Sequence, residues 1–395
     1  MNILFKNFNI IRNGKISHHH NMSVVDDTIH SFSMIDELDY DEIYDGEGKL
    51  WLSHGFVDIH THGGGGYDFM DSVASEYNLI AKNHARFGAS ALYPTTVSAS
   101  QNELLATLDA FKEAKKCKGG ARLLGIHLEG PYISKEQKGA MDEKYIREPN
   151  REEYEKLFSL SDDIKRMTIA PELPGASELG RFMEEHGIVS SIGHTEADFK
   201  DVLDVHNNGH VNLMTHLYSC MRLTHRVNAW RIAGAVEAGL YCDALSVELI
   251  ADGCHLPLEI LRMIYKFKPL DNIILVTDSM RAAGMGEGIF TFGSRKNGYD
   301  IIVEDGVAKL LDRSAFAGSV ATTDRLVRVM NSAGIPLPQC VKMITENPCK
   351  AMNIDDRYGH LKVGRKADIT VFDDGVNIKY TFVNGEKVFS YKDGI

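Results

Sequence analysis

Apolar positions follow two different rhythms along this chain. Near the ends they alternate in short runs. Residues 3–5, 8–12 and 15–16 read as short strands, with Asn13-Gly14 before the last of them as a type I′ hairpin turn. At the other end residues 368–372 alternate, and residues 380–388 form a second hairpin pattern around Asn384-Gly385. The middle is different: strand-like apolar runs take turns with stretches at helical spacing. Strands are predicted over residues 55–62, 91–96, 123–130, 167–172, 188–194, 212–216, 246–252 and 273–278. Helices are predicted over 72–87, 101–116, 176–186, 197–208 and 257–267. The second has Leu104, Leu105, Leu108 and Phe111 on one face with Ser98 or Ser100 as its cap, and the last opens with Pro257 in its first turn. Continuous apolar strands separated by helices are buried on both faces, as in a parallel sheet, and eight of them close a (β/α)8 TIM barrel. The fold class is therefore α/β. Residues 54–361 form the barrel, and residues 1–53 and 362–395 together form a small β-sandwich domain.

Composition narrows the function classes. Of 395 residues, 44% are hydrophobic and 25% charged, which is ordinary for a globular protein with a large core. The net charge of −12 argues against nucleic acid or an acidic membrane surface as a partner, because phosphate contacts need a basic face. A local basic pocket for a small anion stays open. No run of eighteen apolar residues appears, and the first residues lack the apolar stretch and cleavage site of a signal peptide, so a cytoplasmic protein is expected. Six cysteines without paired spacing read as reduced thiols.

The chemistry collects at the strand ends, which is where a barrel of this kind carries its active site. His60 and His62 are two residues apart on the first strand, so both imidazoles point to one side, and Gly63 to Gly66 let backbone approach whatever is bound there. Glu129 ends the third strand, His194 the fifth, His216 the sixth and Asp278 the eighth. Each alone is also compatible with a hydrogen-bonded structural residue; the set at equivalent positions points to a metal centre with a base beside it. His127 shares a strand face with Glu129 and is either a hydrogen-bond partner of a ligand or a packed core histidine. The His18-His19-His20 run reads as a solvated loop, and the glycine-rich residues 284–314 as a lid or as decoration.

These residues resemble the amidohydrolase superfamily, and several motifs narrow the likeness. Gly125-Ile126-His127-Leu128-Glu129-Gly130-Pro131, Ala170-Pro171-Glu172, Gly193-His194-Thr195, Thr215-His216-Leu217-Tyr218, Ala251-Asp252-Gly253-Cys254-His255 and Ala317-Gly318-Ser319 are similar to those of N-acetylglucosamine-6-phosphate deacetylases. The resemblance implies a divalent metal, zinc or iron, on Glu129, His194 and His216, and a second ion on His60 and His62 with Glu129 bridging. It implies Asp278 as general base and acid, and His255, Ala140, Ser219, Cys220 and Arg226 as substrate contacts. A homodimer acting on a small amino-sugar phosphate follows from the same likeness. No lysine ends the fourth strand, so a carbamylated lysine bridge is not on offer.

The chain also departs from that pattern. Where the family has Leu-Tyr/Phe-Asn-Ala-Met, this sequence has Leu217-Tyr218-Ser219-Cys220-Met221, and the Arg-Glu-Pro-Gly segment that follows is replaced by residues 222–231. Arg226 is the best match to the phosphate-binding arginine, with Arg222 or Arg231 as substitutes. The substrate is accordingly less determined than the hydrolysis. A related substrate, the galacto epimer or an N-acyl amino acid, is the second reading, and a barrel that binds without catalysis is the third, disfavoured because no ligand is missing.

Overall fold

The computed structural model describes residues 1–33 and 38–392. Eight parallel strands lie side by side in chain order: Phe56–Thr61, Ala89–Thr96, Ile126–Glu129, Ile164–Ile169, Val189–Ile192, Leu213–Met214, Ser246–Leu249 and Ile273–Leu275. A parallel bridge between Thr61 and Ser279, with the Asp278 amide donating to the His60 carbonyl at 2.9 Å, joins the eighth strand to the first and closes the ring. Every residue of the first two strands is buried, as expected where helices cover the outside and side chains fill the inside. The barrel expected from the apolar runs is the barrel observed.

The later strands are shorter than their sequence patterns. The sixth holds two ladder residues and the eighth three, because His216 (φ 31°) and Asp278 (φ 47°) leave the extended conformation before the polar motif ends. Helix boundaries fall within two residues of the pattern. Gln101–Ala114 is opened by Ser100 rather than Ser98, in a capping box with Glu103, and buries Leu104, Leu108 and Phe111. Burial of each such side chain is worth about 1.5–3 kcal/mol relative to leaving it in water. Pro257 stands at the N-cap of Leu258–Phe267, one place ahead of the expected first turn.

Both termini build one eight-stranded mixed sheet. Its strands Asn2–Arg12, Lys15–Val25, Thr28–Ser31, Glu42–Asp45 and Trp51–His54 come from the start of the chain, and Ile369–Phe372, Ile378–Val383 and Glu386–Ser390 from its end. The sheet curls over an apolar core that includes Phe5, Phe8, Val24, Leu52, Ile369 and Phe382, with the Phe5 and Phe382 rings edge to face at 5.1 Å. Asn13 and Gly14 have φ of 52° and 66°, and Asn384 and Gly385 have 52° and 72°, the two left-handed residues a type I′ turn requires. Instead of three short strands, the first hairpin has two of eleven residues, continuous across register shifts near Phe8. The histidine run is therefore strand, not loop: His19 takes a positive φ of 54° at the irregularity and hydrogen-bonds Asn7, while His18 bonds Asn9.

Residues 284–314 fold as a three-stranded antiparallel sheet, Gly288–Phe292, Tyr299–Glu304 and Val307–Leu310. It lies against the barrel mouth. Arg281 and Arg295 both pair with Asp71, and the Tyr299 hydroxyl donates to the Ala140 carbonyl, so the element is fastened on two sides.

Candidate metal centre

Six side chains converge at the C-terminal mouth of the barrel. His60 leaves the first strand and His62 follows directly after it; Glu129 is the last residue of the third. His194, His216 and Asp278 have φ of 50°, 31° and 47°. A left-handed non-glycine residue costs of order 1–3 kcal/mol, so three at equivalent strand ends mark a place where surrounding structure holds strain. Glu129 is the hub. Its Oε1 lies 2.9 Å from His216 Nε2 and 3.1 Å from His194 Nε2, and its Oε2 lies 3.2 Å from His62 Nε2. Asp278 Oδ1 is 3.0 Å from His62 Nε2 and 3.4 Å from His60 Nε2. All six residues are buried, Asp278 being the most accessible at 8%.

The donor set fits a divalent ion. His60, His62, Glu129 and Asp278 bring ligand atoms within 4.8 Å of one another, and Glu129, His194 and His216 do the same. His60 Nε2 is buried without a hydrogen-bond partner, and the Nε2 atoms of His194 and His216 face each other at 3.1 Å. Imidazole nitrogens and carboxylate oxygens turned to common points suit zinc or iron, and Glu129 belongs to both groups.

Protons take the place of the ion when it is absent. Burial disfavours a charged His60, but Glu129 and Asp278 override it and push its pKa up to about 9. For His62 burial is again opposed, here by hydrogen bonds to Asp278 and Glu129, and its pKa rises to about 10. Burial would raise the Glu129 carboxyl, yet His60 and His194 hold it well below the usual range. Near pH 7 both His60 and His62 are thus protonated in the metal-free protein and neutral as ligands. Zinc binding at this half of the centre is expected to release close to two protons at pH 7 and fewer as pH rises through 9 to 10. Titration of metal-free protein with zinc in a weakly buffered indicator solution checks this; release of no protons at pH 7 excludes these two ligands.

A cavity of about 280 Å³ opens above the cluster, lined by His62, Glu129, His194, His216 and Asp278 and by the candidate contacts Ala140, Ser219, Cys220 and His255. His255 Nδ1 is 2.8 Å from Asp252 Oδ2, and its own amide donates to Asp252 Oδ1. Phe292 of the three-stranded element and Phe316, which follows it, also line the cavity.

The structure places the remaining candidates and corrects the reading of Gly63 and Gly64. Arg226 does not reach this cavity: it is exposed on the hairpin His225–Val227/Trp230–Ile232, and among the described residues no arginine or lysine lines the space. Of its substitutes, Arg222 is engaged with Glu196 and Asp198, and Arg231 pairs opposite Arg226 on the same exposed hairpin. His127 bonds no ligand; its nitrogens meet Thr95 Oγ1 at 3.2 Å and Thr168 Oγ1 at 2.7 Å while its ring stands edge-on under His60. Gly63 and Gly64 serve protein packing rather than a ligand, since a Cβ on Gly63 would fall 2.2 Å from the Tyr67 carbonyl oxygen and one on Gly64 2.8 Å from Asn83. What the sequence reading missed is Glu248, whose Oε2 lies 3.3 Å from His60 Nδ1, and Arg166 behind it.

Known proteins are similar to this chain over most of its length. The chain is 32% identical over 359 residues to an N-acetylglucosamine-6-phosphate deacetylase of Vibrio furnissii, covering 88% of this chain and 87% of that protein. It is 30% identical over 340 residues to an N-acetylgalactosamine-6-phosphate deacetylase of Escherichia coli O157:H7, covering 85% and 87%. The crystal structure of the N-acetylglucosamine-6-phosphate deacetylase from Pasteurella multocida superposes with a TM-score of 0.89 at 28% identity, over 98% of this chain and 99% of the other. With four histidines and two carboxylates gathered at the barrel's strand ends, and residues 51–388 matching the sequence model of the amidohydrolase family, this chain belongs to that family.

Proposed function

We propose that this chain hydrolyses the acetamide of N-acetylglucosamine 6-phosphate to glucosamine 6-phosphate and acetate, in the catabolism of amino sugars. The observation that carries the reading is Asp278, buried 3.0 Å from His62 in a cavity that His255 also lines. The named activity of the relatives supplies the substrate class.

Glu129, His194 and His216 would hold one divalent ion and His60 and His62 a second. Such an ion supplies Lewis-acid polarisation of the carbonyl and lowers the pKa of water bound to it. The rest is done by the chain. Asp278, whose carboxyl lies below the usual range beside His60 and His62 in the metal-free protein despite burial, is the group placed to take a proton from the attacking water. The water oxygen adds to the acetyl carbon, the carbon–nitrogen bond breaks, and Asp278 returns the proton to the departing nitrogen. With Nδ1 tied to Asp252, His255 has Nε2 left for the carbonyl oxygen. Phe292 and Phe316 keep bulk water from the reacting atoms.

Phosphate is recognised across a homodimer, because among the described residues no arginine or lysine of one chain lines its own cavity. Arg226 stands on a hairpin whose Trp230 is 77% exposed, a surface suited to a second copy. Arg226→Ala is expected to raise KM for the phosphorylated sugar roughly 10–100-fold, the loss of a charge-assisted hydrogen bond, with the unphosphorylated sugar unaffected. The reaction is assigned to the cytoplasm; no helix of the described residues is long and apolar enough to cross a membrane.

A second reading takes the galacto epimer as substrate. Ser219 and Cys220, which line the cavity where the family's usual pattern has Asn-Ala, and the 30% identity to the Escherichia coli enzyme favour it. Acetate release from N-acetylglucosamine 6-phosphate, N-acetylgalactosamine 6-phosphate and N-acetylglucosamine by zinc-loaded protein separates the two. Turnover of the first above the second supports the proposal, and turnover of none rejects both.

A further inference from the structure

Beneath the ligand cluster the barrel interior departs from the apolar filling expected of such a core. Arg166, on the fourth strand, is the bulkiest fully buried side chain. Its guanidinium donates to the Glu248 carboxylate on the seventh strand, to the Ile59 carbonyl on the first at 3.2 Å, to Ser191 Oγ on the fifth at 3.2 Å and to Thr215 Oγ1 after the sixth at 2.9 Å. Ile59 precedes His60 and Thr215 precedes His216. Glu248 is itself fully buried, and its Oε2 faces His60 Nδ1 and accepts from the His216 amide, both at 3.3 Å.

We propose that Glu248, held by Arg166, is the positioning residue of the metal centre: it keeps the proton of His60 on Nδ1 so that the Nε2 lone pair faces the ion. A carboxylate only accepts, so it serves Arg166 and His60 at once and leaves His60 one tautomer. Glutamine in its place has one accepting oxygen. Given to Arg166, that oxygen leaves an amide N–H against His60 Nδ1, and the imidazole proton moves to Nε2, where the ligand lone pair is needed. Arg166 makes the buried carboxylate tolerable and fixes its direction, and through Ile59 and Thr215 it reaches the backbone just before two ligands. His194 has its own orienting partner in the Gln137 carbonyl, 2.7 Å from Nδ1, so the dependence on Glu248 belongs to the His60 half of the centre.

This inference rests on the metal centre proposed above, and one titration separates the two. Metal-free wild type, Glu248→Gln, Glu248→Asp and the double variant Arg166→Met/Glu248→Leu are titrated with zinc against a chromophoric chelator, and thermal unfolding of each metal-free protein is recorded. Loss of an orienting partner weakens metal binding about 10–100-fold. Glu248→Gln is expected to show that loss in one class of zinc site, with unfolding close to wild type, and Glu248→Asp to regain part of it. The double variant has no buried charge left to compensate, so it is expected to fold; it should still bind zinc as weakly as Glu248→Gln. Wild-type affinity in Glu248→Gln or in the double variant overturns the proposal. A wild-type protein that binds no zinc removes the metal centre itself and this inference with it.

Discussion

Asp278→Asn is expected to lower acetate release by about 10²–10⁴-fold, the usual contribution of a positioned acid–base group, while the protein keeps its zinc and its fold. The substitution is close to isosteric, and asparagine tolerates the φ of 47° found at this position better than most residues. The backbone contacts survive: the amide of residue 278 donates to the His60 carbonyl, and its carbonyl accepts from Ser319. What is lost is an oxygen that can take a proton. Asp278 Oδ1 faces His62 at 3.0 Å and His60 at 3.4 Å, so the amide weakens the His60 half of the centre somewhat, and metal content must be measured beside the rate. Of the Glu129, His194 and His216 half, Glu129 alone is grouped with Asp278, so that half should keep its ion. Rate loss with ion retained assigns the proton transfer to Asp278. A variant within about fivefold of wild type places the base elsewhere, and that measurement would falsify the mechanism proposed here.

Much of this site was legible because barrel chemistry sits where the chain changes character. An apolar run such as residues 273–276 ends at Thr277-Asp278, and the strand, its end and its polar residue are all local features of sequence. The hairpins are equally local, since Asn-Gly needs only its own φ preferences. Long-range register is what the sequence does not display. Glu248 lies in a strand-like run and meets Arg166, 82 residues earlier, only because the fourth and seventh strands face each other across the barrel interior. Read along the chain, each is a charged residue in an apolar segment with no visible partner. Asp252 was within reach: an acid three residues before His255, after a glycine-broken strand end, is a local pairing signal. His84 was not. It reads as a helix histidine, yet its Nε2 lies 3.0 Å from the Gly63 carbonyl and braces the loop that carries His62. Burial pushes its pKa down to about 4, so it is neutral there.

Arg166→Met alone is expected to destabilise the metal-free protein by about 3–5 kcal/mol, the loss seen when one partner of a buried ion pair is removed. Glu248 is the reason. Burial opposes its ionisation, and Arg166 and His60 are what hold its pKa down; without the guanidinium the carboxylate must stay charged in a dry interior or take a proton. Either course also takes the Arg166 donor from the Ile59 carbonyl and from the hydroxyls of Ser191 and Thr215, which keep their bonds to each other and to Thr168. Removing both charges should recover most of the loss, because well-packed apolar residues often replace a buried pair without penalty. Chemical denaturation of metal-free wild type, Arg166→Met and Arg166→Met/Glu248→Leu measures the three values directly. If the single and double variants are equally unstable, the guanidinium contributes through its bonds to three other strands rather than by neutralising Glu248. If the double variant recovers and still binds zinc weakly, the same pair has two separable roles: Arg166 makes the charge tolerable, and the charge orients His60.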